Sequence, residues 1–233
     1  MKEQFLETGN YIRFNEAIQG LKELPVTAPK LGLGYGNFGL GKTFSLEKIV
    51  IKENAILLRA LQIWTKGSML EELCDELGLD TQGQSPAKYK RIVESLLQEP
   101  RMIIVDEIDA ILKSEKFPIM EMLRDIHDEV GVVIVFIGME QSRAKLKKHN
   151  HFYSRITSFI EFKRIEIDDI RKYCELSDVK IEEDLIKYFY AKYPNLRQIK
   201  VLLLRAEKFC VINDRDTLDL KGFKDSGVEH DTN

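Results

Sequence analysis

Short, unbroken apolar runs alternate with longer amphipathic stretches along most of this chain. Tyr11, Ile12, Phe14, Ala17, Ile18 and Leu21 fall at helical spacing behind Asn10, a natural N-cap, and Pro25 stops the pattern. Leu31 to Tyr35 reads as a strand that runs into a glycine-rich turn, and Thr43 to Ile51 as the helix beyond it. Ala55 to Ala60 predicts a second strand, followed by helical patterns at Ser68 to Leu77 and Pro86 to Leu97. Met102 to Val105 is a buried strand, Ile119 to Val130 a helix, Val132 to Ile137 another apolar strand, and Ser158 to Phe162 a weaker fifth. Strands that alternate with helices and read continuously apolar imply an α/β fold, with a parallel five-stranded sheet flanked by helices.

From Glu166 onward the periodicity is helical only. Asp168 to Glu175, Ile181 to Tyr193 and Leu196 to Val211 predict a small C-terminal helical lid. The expected organisation is a prefix helix over 1–30, an α/β core over 31–164, a lid over 165–212 and an acidic, flexible tail over 213–233. The tail carries six acids against three bases, and its ending SGVEHDTN has no apolar periodicity.

Composition adds exclusions. With 44% apolar and 31% charged residues the chain is of ordinary globular type. Its three cysteines, Cys74, Cys174 and Cys210, lie far apart without CxxC spacing, which argues against a disulfide framework and against zinc. No apolar run approaches the roughly 18 residues of a membrane span, and MKEQFLETGN lacks the apolar core of a signal peptide, so a cytoplasmic location without membrane contact is expected. A net charge of −3 excludes a uniformly basic coat, yet Gln141 to Arg164 holds seven Lys/Arg against one acid.

The chemistry is concentrated in two motifs. Gly36-Asn37-Phe38-Gly39-Leu40-Gly41-Lys42-Thr43 fits GxxxxGK[ST] between a predicted strand and a predicted helix. Glycines let successive amides point at phosphate oxygens, and the helix amino terminus adds a positive dipole end. Lys42 would reach the outer phosphates and Thr43 a Mg2+ ion. Such a loop needs a carboxylate on a neighbouring strand for the metal's water shell, and MIIVDE supplies Asp106. Glu107, one residue on, is placed to polarise an attacking water. Arg155 in HFYSRI is a candidate finger supplied to a neighbouring subunit, and Arg197 in PNLRQI a candidate sensor of the nucleotide. Where related ATPases end the fourth strand on Asn, Thr or Ser, this chain has Gly138-Met139-Glu140, with Glu140, Gln141 and Ser142 as possible substitutes.

With these motifs placed, the stretch from Leu31 to Arg205 resembles an AAA+ ATPase of the transposition type, the family of the Mu-type B protein and TnsC. LRALQIWTKGSMLEELCDELG and MLRDIHDEVGVVIVFIGM look like that family's own segments. The resemblance implies ATP and Mg2+ as cofactors. It further implies self-assembly into an ATP-dependent ring or filament on duplex DNA, recruitment of a transposase, and disassembly on hydrolysis. DNA contact in such assemblies would come from loops, here Thr65, Lys66, Lys88 and Lys90, neutralising phosphates without reading bases. Lys145, Lys147 and Lys148 read as a solvated helix face, Trp64 as core and His127 as a satisfied histidine rather than a metal ligand. A loader of a replication helicase and an ATP-binding switch with little turnover are the alternatives. A small-molecule kinase is disfavoured by Glu107 directly after Asp106.

Overall fold

A computed structural model describes residues 5–113, 115–193 and 195–229. The chain divides into two compact units. One comprises Arg13–Asn37 and Thr43–Glu161, the other Phe38–Lys42 with the described parts of 1–12 and 162–233.

The first unit holds the sheet. β1 (Leu31–Tyr35), β2 (Ile56–Arg59), β3 (Ile103–Asp106), β4 (Ile134–Gly138) and β5 (Ile156–Glu161) are all parallel, in the order β2-β3-β4-β1-β5. Every residue of β1, β3 and β4 is buried, which is why these strands read as continuous apolar runs instead of alternating. The flanking helices are α1 (Gly9–Glu23, which begins in the other unit), α2 (Lys42–Glu53), α3 (Lys66–Glu76), α4 (Ser85–Gln98) and α5 (Phe117–Val130). Helix α1 packs so closely on β1 that a Cβ on Gly32 would lie 2.9 Å from the Leu21 side chain. Helix α5 ends on Gly131 at φ 71, whose N–H donates to the His127 carbonyl at 2.7 Å. The His127 ring lies 2.7 Å from the Val132 carbonyl through Nδ1 and accepts the Lys30 N–H through Nε2, so it is a hydrogen-bonded core residue. Trp64 is core as well, its indole N–H donating to Glu72.

The second unit contains α8 (Ile167–Cys174), α9 (Glu183–Lys192) and α10 (Leu196–Ile212) around a core that includes Leu185, Phe189, Ile199, Leu203 and Cys210. Among the described residues no helix is long and apolar enough to cross a membrane.

Four sequence expectations are corrected. Thr8, not Asn10, caps α1, its hydroxyl accepting the Tyr11 N–H at 3.3 Å, while Asn10 lies inside the helix. The sequence reading lacked two short helices, α6 (Ser142–Lys147) and α7 (Asn150–Tyr153). The lid is not purely helical, because β6 (Lys180–Ile181) pairs in parallel with β7 (Thr217–Leu218). Finally, the segment from 213 to 229 is folded: β7 and α11 (Leu220–Asp225) bring Leu218, Phe223 and Val228 into the second core, and the last four residues lie outside the described ones. Phe223 is fully buried, against Phe189 at 5.3 Å between ring centroids. Phe223→Ala is therefore expected to cost about 3–5 kcal/mol. Urea denaturation checks this, and an unchanged midpoint would contradict the packing of this segment.

Candidate functional site

In a parallel sheet all strands leave at one edge, and ligands of such folds gather beyond the carboxyl ends. At that edge here stand Tyr35, Arg59, Asp106 and Gly138, with Tyr35 level with Gly138 and Arg59 level with Asp106. The glycine-rich stretch leaves β1 at Gly36 and becomes α2 at Lys42, so Lys42 and Thr43 occupy the first turn of a helix, where free amides and the dipole favour an anion. Gly39 and Gly41 have φ of 76 and 83, conformations that side chains other than glycine rarely adopt.

The tip of this loop is held from two sides within its own unit. The Asn10 amide donates to the Leu40 carbonyl at 3.0 Å and to the Lys163 carbonyl at 2.8 Å, and its oxygen accepts the Lys163 N–H at 3.0 Å. From the lid, the Leu196 N–H donates to the Gly39 carbonyl at 3.2 Å. Asn195 caps α10 through the Gln198 N–H, and a Cβ on Gly39 would meet the Asn195 side chain at 2.3 Å. Asn10 and Asn195 are both buried, as polar groups are when fully engaged. Arg197, the candidate sensor, is exposed in the first turn of α10, next to the residue that touches Gly39.

The carboxylates belong to the sheet unit. Asp106 is the buried last residue of β3, and its Oδ1 accepts the Glu107 N–H at 2.8 Å. Glu107 itself is left-handed, at φ 57 and ψ 35, a conformation costing about 1–3 kcal/mol in a residue of this kind and gathered at functional sites. Its side chain is 63% exposed and lies 3.8 Å from the Arg59 guanidinium. Thr43 and Asp106 belong to the same unit, and a hydroxyl and a carboxylate are hard oxygen donors that suit Mg2+ alongside phosphates. Beyond Glu107, the 3-10 turn Ile108–Ala110 carries Asp109, which sequence reasoning passed over. Asp109 accepts the Met139 N–H at 2.6 Å, the Ser142 hydroxyl at 2.8 Å and the Lys145 ammonium at 2.9 Å. Burial works to raise its pKa, but the Met139 amide, Lys145 and Ser142 outweigh burial and hold it below the ordinary carboxylate value.

Of the remaining candidates, Arg155 is 43% exposed and makes a long 3.8 Å ion pair with Asp128, a surface contact worth about 0–1 kcal/mol. Thr65 caps α3 in a capping box with Ser68, and Lys66 is exposed in the first turn of that helix. Lys90 is exposed and lies 3.7 Å from Glu94. Lys88 is corrected: its side chain is largely buried and its ammonium pairs with Glu71 at 3.1 Å, so it is not the exposed loop lysine expected.

Asn10→Ala would leave the Leu40 and Lys163 carbonyls without this partner, at about 1–3 kcal/mol for the buried Leu40 group and less for the part-buried Lys163 one. The expected outcome is weaker nucleotide binding with the sheet unit intact, measured by titration with a fluorescent ATP analogue, and unaltered affinity would show that the loop tip does not depend on Asn10.

The AAA domain family model matches residues 27–146, more than half the chain, and this stretch includes the glycine-rich loop, Asp106, Glu107 and Gly138. A "Potential ATP-binding protein" of Staphylococcus aureus is 30% identical over 128 residues, which are 50% of this chain and 46% of that protein. The chain thus spans about half the length of the curated relative it matches. Among solved structures, the Aeropyrum pernix ORC1 protein in complex with DNA has the same fold, with a TM-score of 0.63 at 15% identity over 97% of this chain and 66% of that one.

Proposed function

The chain belongs to the AAA domain family of P-loop ATPases, and on that footing we propose that it is an ATP-hydrolysing protein of the transposition type. It assembles on duplex DNA with ATP, selects or licenses a target, recruits or stimulates a transposase, and leaves on hydrolysis. The observation that carries the hydrolytic part is that the two ends of the GNFGLGKT motif, Gly36-Asn37 and Thr43, belong to the same sheet unit as Asp106 and Glu107, beyond the carboxyl ends of β1 and β3. The transposition part is supported by the resemblance of LRALQIWTKGSMLEELCDELG and MLRDIHDEVGVVIVFIGM to that family's segments. The solved ORC1 protein, which has this fold, is in complex with DNA, and that likeness supports DNA contact here.

In this reading the loop amides and Lys42 hold the phosphates, Thr43 and, through water, Asp106 hold Mg2+, and Glu107 orients the attacking water by accepting its proton. Mg2+ neutralises charge on the phosphate oxygens when bound. Arg155 of one copy meets the outer phosphate held by another, which makes the assembly depend on the intact nucleotide, and Arg197 reports the same phosphate to the lid. Thr65, Lys66 and Lys90 face the DNA backbone, releasing counterions.

Gly138 favours a second reading, an ATP-dependent switch with little turnover, because the end of β4 carries no polar side chain to orient a water. A single set of measurements separates the readings. Turnover that rises with duplex DNA and falls with added salt is expected of the first, and turnover indifferent to DNA of the second. Glu107→Gln is expected to trap ATP-bound rings or filaments on DNA, and negative-stain images showing monomers alone would sink the assembly mechanism. Association with a helicase in place of a transposase would redirect the reading to a loader.

A further inference from the structure

The end of β4 is not simply vacant. A Cβ built on Gly138 would lie 2.2 Å from the Ser142 hydroxyl oxygen, 2.8 Å from the Ser142 Cβ and 2.9 Å from Asp109 Oδ2. Any side chain at 138 would have to displace both residues, so glycine is required by what already fills the space. Asp109 arrives there from another element. It sits two residues after Glu107, in the turn closed by the Ala110 N–H donating to the Glu107 carbonyl at 3.0 Å. One carboxylate oxygen takes both the Met139 N–H and the Ser142 hydroxyl, and the other takes Lys145. The turn that bears Glu107 is thereby tied to the exit of β4 and to the first turns of α6.

We propose that Asp109 is a positioning residue for hydrolysis: it supplies from the turn after β3 the polar anchor that β4 lacks at Gly138, and so fixes the backbone that presents Glu107. The proposal rests on the reading of Glu107 as the group that orients water. A left-handed glutamate persists only where its surroundings over-determine it. Two constraints act next to Glu107, the Asp106 carboxylate on its N–H and the Ala110 N–H on its carbonyl. Asp109 provides a third, which ties the turn to the residues just beyond β4. Ser142 shares the role, because its hydroxyl is fully buried and donates to the same oxygen. An amide cannot replace this carboxylate. Three donors converge on its two oxygens, and an asparagine would turn an N–H toward one of them.

The test compares wild type, Asp109→Asn and Ser142→Ala in steady-state and single-turnover hydrolysis, with affinity for a non-hydrolysable ATP analogue measured separately. Since small displacements at a reacting centre cost up to about 100-fold, kcat is expected to fall roughly 10- to 100-fold in Asp109→Asn and by a smaller factor in Ser142→Ala. Analogue affinity and KM are expected to stay within about twofold, because the nucleotide-holding loop is untouched. Wild-type kcat in both variants overturns the proposal, and so does a loss of affinity that matches the loss of rate, which would mark a general structural role. If Asp109→Asn does not fold, Ser142→Ala decides by the same two criteria. Absence of turnover in the wild type would defeat the hydrolytic reading itself, whereas an active wild type with unaffected variants defeats the Asp109 assignment alone.

Discussion

Parallel pairing obliges every strand of a sheet to leave at the same edge, and the rest of the sheet unit follows from meeting that requirement with buried strands. β1, β3 and β4 are wholly buried and start level, Leu31 and Ile103 both opposite Ile134. Level starts with strands of four and five residues give level ends, so Tyr35, Asp106 and Gly138 come to one edge without any loop having to carry them there. What chemistry the edge can do is then decided by the next one or two residues of each strand. β1 is followed by Gly36 and Asn37, β3 ends on Asp106 and is followed by Glu107, and β4 ends on Gly138, which leaves room for its neighbours.

The glycine-rich loop meets a different constraint. Its amides must remain available for an anion, so its own carbonyls have to find partners elsewhere. Asn10 and the Leu196 N–H supply two of these, for Leu40 and Gly39 respectively. Asn10 and Leu196 are both buried, and losing the bond to the buried Leu40 carbonyl costs its desolvation, which makes the loop tip firmer than a surface turn. Gly39 pays sterically for the arrangement: besides its positive φ, it lies against Asn195 with no space for a methyl group.

Much of this was legible in the amino-acid sequence. Apolar runs marked β1, β3 and β4 most clearly because burial on both faces erases alternation, while the edge strand β5, partly exposed, gave a weaker signal, and the two phosphate-chemistry motifs stood out because strand and helix patterns flank them. Other features left no such trace. β6 and β7 have two residues each, too short for any period to register. The segment after Asn213 looked like a frayed tail because six acids outweigh three widely spaced apolar anchors, Leu218, Phe223 and Val228. Asn10 has the chemistry of an N-cap and was read as one, but the same amide can instead bridge two distant carbonyls, a choice settled by tertiary contact. Lys88 shows the limit of counting charges: its position on α4 faces Glu71 across the helix pair, and a long apolar stem lets lysine be buried with its charge matched.

The acidic motif carries an electrostatic problem that the fold resolves from both sides. Asp106, Glu107 and Asp109 place three carboxylates within four residues, and like charges this close repel. The next strand contributes Arg59, level with Asp106 and 3.8 Å from Glu107. On the other side α6 contributes Lys145, 2.9 Å from Asp109, backed by the neutral donors Met139 N–H and Ser142 hydroxyl. Asp109 is thus well matched by a full charge at hydrogen-bond distance, while the Arg59 contact is longer and open to solvent, where it is weak. Arg59 and Lys145 thus set two positive charges beside these carboxylates at the carboxyl end of β3. In the proposed reading, a divalent cation carried in with a polyphosphate would add positive charge at this same edge.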